Sequence, residues 1–246
     1  MMSSLEYLLS SLEAYWVFLG PLLAFSMWIS VWKEERGRLS SSRVLSWSLF
    51  PVFSLVQFEE YAIDFQAKRY SFLNYAFESP WLQSEPVYVI NPQSWFLINT
   101  MLWAMFVLSS LSLDFAGDYF PMLFAWSVAT CHCTFFHAVI PLFYHPHGMF
   151  SYHPGLVTSF ALLFPLSLYY LLVSAARKFG GYWTLVGVIC GALSYIFGVI
   201  LPLYMMSGYH FPIQYLSFGT ILMIASHYYA NSVMKPLVFA SGEKLA

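Results

Sequence analysis

Charge is what this sequence has least of. Asp, Glu, Lys and Arg make up only 9% of its 246 residues, where a soluble domain carries roughly 25%. So few charges cannot cover a water-facing surface, and a soluble globular fold is not expected. Lys and Arg nowhere gather into a patch fit for a phosphate backbone, so no nucleic-acid partner is expected either. Cysteine is scarce: Cys131, Cys133 and Cys190 all lie inside apolar runs, which argues against a disulfide framework. The opening stretch, MMSSLEYLLSSLEAYW, has no basic region ahead of an apolar core. It reads as a short interfacial helix entering the first span, with no cleaved signal peptide. Internal repeats and low-complexity tracts are also missing, which points to one domain over residues 1–246.

What is present is apolar sequence, 59% hydrophobic and 21% aromatic. A helix needs about 20 mostly apolar residues to cross a bilayer. On that measure the chain is an all-α, polytopic transmembrane helix bundle of about seven spans, near 14–32, 44–64, 94–113, 120–143, 155–175, 182–204 and 213–234. The link 65–93 is too polar and too broken by proline to span, and reads as an interfacial, amphipathic segment over one mouth of the bundle. Seven spans put Lys33, Arg36, Arg38, Arg43, Arg177, Lys178, Lys235 and Lys244 on one side and only Lys68 and Arg69 on the other. The positive-inside rule makes the first side, with the C-terminus, cytoplasmic. For a eukaryotic source the expected membrane is the endoplasmic reticulum.

Polar residues at membrane depth then gather at the other end. Span 2 finishes with VQFEEYAID, residues 56–64, which carries Glu59 and Glu60. A carboxylate at bilayer depth costs about 2.5–3.5 kcal/mol on insertion scales and is usually functional. Adjacent residues sit about 100° apart on a helix, so both carboxylates can face one cavity, or one can support the other. Asn99 starts span 3 and His137 closes span 4, while His145, His147 and His153 follow in the next loop and His210 precedes span 7. His227 lies midway down span 7.

These stretches resemble the HXXEE-domain membrane proteins. QFEEYAIDFQAKRYSFLNY is similar to the family's His-x-x-Glu-Glu core, with its following Ala-Ile-Asp and Arg-Tyr-x-Phe pieces. SWFLIN places an Asn at Asn99, FFHAVIP supplies the family histidine at His137, and SYHPGLVTSFALLFP resembles the Tyr-x-Pro-Gly-Leu-x-Thr segment. The likeness runs from about residue 44 to 175. It departs at Val56, where the family has its first histidine, and at Cys133, where the family has Asn. In layout and in its carboxylate-bearing second span the chain is also similar to small membrane-bound terpene cyclases of fungal meroterpenoid (ascofuranone-type) pathways.

That second resemblance implies an acid-initiated cyclase acting on a hydrophobic, prenylated substrate, with no cofactor and no metal. A terminal epoxide opens when protonated, which needs a carboxylic acid still protonated near neutral pH. Apolar burial and a neighbouring carboxylate both favour that form. The cation is then held by aromatic faces, worth on the order of 2 kcal/mol when desolvated, and the chain has 24 Phe, 18 Tyr and 9 Trp. The expected catalytic residues are Glu60 or Glu59 as the acid, the other holding it, with His137 and Asn99 orienting it or taking the final proton. Tyr61, Trp95, Trp103, Phe136, Tyr152 and His227 are the expected substrate-binding residues. Two alternatives remain. Glu59, Glu60, His132, His137, His145, His147 and His153 offer ligands for iron or zinc in a metal-dependent enzyme, although His132 and His137 stand about 140° apart on an α-helix. The carboxylates could also carry protons in a small transporter or lipid-binding protein, against which stands the lack of a repeat.

Overall fold

The computed structural model describes residues 4–69, 72, 92–139, 141–142 and 152–200. His145, His147, His210, the seventh span with His227, and most of the segment 65–93 lie outside the described residues, and so does the side chain of Trp95.

Every extended element among the described residues is helical. α1 is Ser4–Glu34, in which the expected N-terminal helix and the first span are one continuous helix. α2 is Ser42–Gln57 and runs on through a π-helical turn, Phe58–Ala62. α3 is Pro92–Ala116. α4 is Phe120–Thr134, extended by a second π-helical turn, Phe135–Val139. The joins follow local chemistry. Gly117, at φ 63°, closes α3 by donating its amide to Leu113 O at 3.0 Å, a left-handed conformation that costs glycine nothing. Pro121 then sits in the first turn of α4, where a missing N–H leaves no hydrogen bond unmade.

A helical run of 45 residues follows, Leu156–Ile200, more than twice what one crossing needs. Gly180 breaks it, with φ 78° and ψ 158°. The two halves, α5 (156–179) and α6 (181–200), lie along α4 in opposite directions. On α5, Phe179 meets Phe120 and Tyr170 stacks on Trp126, so α5 runs antiparallel to α4. On α6, Gly187 packs on Leu123, Gly191 on Ser127 and Tyr195 on His132, so α6 runs parallel to it. The Gly187-x-x-x-Gly191 pair lets the backbones close in: a Cβ on Gly191 would lie 2.5 Å from Ser127 Cβ. That is the small-residue packing on which membrane helices depend.

Among the described residues, four stretches are long and apolar enough to cross a membrane: Tyr15–Glu34, Ile98–Ala116, Phe120–Val139 and Leu156–Ile200. The chain is an integral membrane protein built as a helical bundle. Its burial pattern agrees, with Leu22, Leu172 and Phe197 facing outward while Ser46, Ser54, Gln57 and Ser127 are fully buried. α2 is the most polar helix and sits in the middle, packed by α1 on one side and α3 on the other. Ser48 and Ser54 hide by bonding back along the helix, Ser48 Oγ to Val44 O at 2.7 Å and Ser54 Oγ to Phe50 O at 2.8 Å. At the start of α2, Arg43 donates to both carboxylate oxygens of Asp114 on α3, at 2.8 and 3.1 Å, and Trp47 Nε1 adds a third bond at 3.0 Å. Asp114 thereby holds the Arg43 guanidinium still more firmly in its charged form. This ties α2 to α3 at one end of the bundle and leaves the glutamates at the other.

Candidate active site

Glu59 and Glu60 both lie in the π-helical turn that ends α2, and both are buried. Their environments differ. Glu59 is fully engaged. It accepts hydrogen bonds from Val157 N at 3.3 Å, Thr158 N at 2.8 Å and Thr158 Oγ1 at 2.6 Å. Those amides belong to the first turn of α5, whose donors have no partner within the helix. The N-cap position there is Gly155, which has no side chain to cap with. Glu59 reaches across from α2 and takes that role, where a carboxylate is also favoured by the helix dipole.

Glu60 points elsewhere. Its Oε1 lies 3.1 Å from His137 Nε2, with both side chains buried to 1% exposure or less. The pair is off the line of a strong hydrogen bond, so both carboxylate oxygens and both ring nitrogens keep unused capacity among the described residues. Gln57 faces Glu60 from the preceding turn, and Asn99 reaches the Tyr61 hydroxyl from α3. Both amides are wholly buried, and among the described residues neither closes a well-aligned hydrogen bond. Buried polar groups in this condition cost about 1–3 kcal/mol each, and they concentrate around Glu60. Gly155 explains how His137 comes so close. A Cβ there would stand 2.4 Å from His137 Cε1 and 2.8 Å from Glu60 Cγ, and the φ of 85° suits only glycine without strain.

His153 completes this side, its ring stacked on His137 with centroids 5.4 Å apart. Aromatic rings form the opposite wall. Phe72 lies 6.4 Å from the His137 ring, 5.7 Å from Phe136 and 5.5 Å from Tyr61. Tyr61 continues through Trp16 to Trp103, at 5.5 and 5.2 Å. Of the expected substrate-binding residues, Tyr61 and Phe136 stand beside the pair and Trp103 lies two rings beyond Tyr61, with Trp16 between them. Tyr152 is a strut. Its hydroxyl accepts from Phe65 N at 2.8 Å, and burial with the nearby Glu59 and Asp64 charges pushes its phenol up. Asp64 organises the turn after α2, its Oδ1 accepting from Gln66 N and Lys68 N at 2.8 Å each.

His132 and His137, expected on different faces, both turn inward. The i→i+5 bonding of the turn Phe135–Val139 swings His137 back toward the interior side that His132 occupies. His132 is held by Tyr195 of α6, Nδ1 to hydroxyl at 2.7 Å. Among the described residues no three His, Cys, Asp or Glu side chains converge as a metal site. Gln57 and Tyr195 are the members of this polar centre that sequence reasoning passed over. Gln57 was legible from its depth in an apolar run, Tyr195 from nothing in the chain. No family model, curated protein or solved structure matches this chain.

Proposed function

We propose that this protein is a membrane-bound cyclase that protonates the terminal epoxide of a prenyl chain through Glu60 and guides the resulting cation to ring closure. The observation that carries this reading is the unequal use of the two glutamates. Glu59 is consumed in capping α5, while Glu60 stays available beside His137 in a buried, aromatic-walled centre. In the proposed step the Glu60 carboxyl donates its proton to the epoxide oxygen. The carbon–oxygen bond breaks as an alkene of the same chain attacks, and the oxygen becomes a hydroxyl. The ring cation then loses a proton to the Glu60–His137 pair, which restores the acid. The product has the mass of the substrate, and no cofactor or metal enters.

No Lys or Arg side chain is buried among the described residues. Lys68 and Arg69 lie at this end but on the exposed surface, so among the described residues a diphosphate headgroup drawn into the site would find no buried cation to hold it, which favours protonation of a neutral group over ionisation of a phosphate ester. The resemblances to HXXEE-domain proteins and to small meroterpenoid cyclases belong to this proposal. So do the seventh span, the cytoplasmic placement of the Arg43 end by positive charge, and an endoplasmic-reticulum location.

The test is conversion of an aryl-farnesyl terminal epoxide by membranes containing the chain, followed by mass spectrometry. The expected result is a new isomer of unchanged mass that Glu60→Gln abolishes and Glu59→Gln only diminishes. No conversion by the unaltered chain would overturn the cyclase reading. Full activity in Glu60→Gln would overturn the assignment of the acid.

A further inference from the structure

α4 and α5 do not close completely against each other. A groove of about 70 Å³ lies there, lined by Cys133, Thr134, Ala138, Ser159, Phe160 and Phe164. Its rim belongs to the outer face of the bundle, where Phe160, Val157 and Val139 are exposed alongside the other outward apolar side chains. Its floor is different. Cys133 and Ser159 are buried to 3% and 2% exposure. Ser159 N donates to Gly155 O at 3.0 Å, and Gly155 packs directly on His137 and Glu60. The groove therefore runs from the outward-facing Phe160 to two small buried side chains about one turn from the Glu60–His137 pair. Both walls carry π-helical turns, Phe135–Val139 and Ser159–Leu163, which disturb regular helix packing where the opening lies.

We infer that this groove is a lateral portal that admits the end of a flexible, linear isoprenoid chain from the bilayer to Glu60. Its lining is mostly apolar, with the Thr134 and Ser159 hydroxyls and the Cys133 thiol as its polar groups, and it offers no cation for a charged headgroup. At about 70 Å³ it is too small for a fused ring system, so the substrate enters before it is cyclised. The portal names the substrate class of the cyclase reading and rests on it, but access can be measured without turnover.

The experiment uses the full chain in phosphatidylcholine vesicles with an isoprenoid alcohol that carries a diazirine in its chain. After irradiation, the labelled peptides are mapped in the unaltered chain, in Glu60→Gln and in Ala138→Trp. The expected result is labelling concentrated on the peptides holding Thr134, Ala138, Phe160 and Phe164. It should be displaced by excess unlabelled alcohol, kept in Glu60→Gln and lost in Ala138→Trp. Leu22→Trp, on the outer face of α1, should leave it unchanged and controls for added bulk. Labelling spread evenly over the outward residues of all helices, or unaffected by Ala138→Trp, would overturn the portal. If groove labelling occurs and no epoxide is ever cyclised, the portal stands and the cyclase reading falls.

Discussion

At the scale of single residues, two adjacent glutamates with the same side chain are assigned opposite duties by what they touch. Glu59 satisfies three donors of α5, so its loss is expected to register as instability. Glu59→Ala should cost about 2 kcal/mol, a lost cap plus a charge-assisted bond, read as a lower unfolding temperature in detergent. Thr158→Val should give a smaller fall in the same direction. Glu60→Gln should leave the unfolding temperature nearly unchanged, because its oxygens hold no strong bond among the described residues. Gly155→Ala belongs with the active-site changes. Its added methyl lands on His137 and Glu60 and is expected to remove turnover even in membranes where the chain still folds, with Glu60→Gln as the comparison for activity.

At the scale of elements, α4 is the spine on which α5 and α6 lie, and the α6 contact depends on missing side chains. Gly191→Leu should separate α6 from α4 and destabilise by about 1–3 kcal/mol, as overpacking does. Gly181→Ala, with nothing within 4 Å of its added carbon, should stay within about 0.5 kcal/mol of the unaltered chain. Thermal unfolding of the two side by side separates close helix approach from glycine content. The π-helical turns are the element-scale reason that the site was only half legible in the sequence. Glu59, Glu60, Asn99 and His137 stood out because ionisable and amide groups at membrane depth are costly. Which glutamate acts, and whether His132 and His137 share a side, depends on the rotation per residue through Phe58–Ala62 and Phe135–Val139. No spacing rule built on a regular α-helix supplies that rotation.

At the scale of the whole molecule, a membrane-embedded helical bundle was legible in the apolar runs. The pairing along α4 was not, because it rests on contacts such as Tyr170 with Trp126 that join distant parts of the chain. The bundle has two unlike ends, and their sidedness can be measured. In a chain without native cysteines, single cysteines at Arg36, Gly117 and Gly181 should react with an impermeant maleimide from one side of sealed vesicles. One at Gln66 should react from the other. Reaction of all four from one side would overturn the arrangement.

The turn at Gly180 also bears on how the chain comes to be in the membrane at all. Arg177 and Lys178 stand immediately ahead of it, with Lys178 Nζ resting 4.3 Å over the Tyr119 ring. Dragging this turn through hydrocarbon would take both cations with it, at about 2.5–3.5 kcal/mol apiece on insertion scales. The charge at this turn therefore favours keeping it on one side of the membrane while the helices that flank it insert.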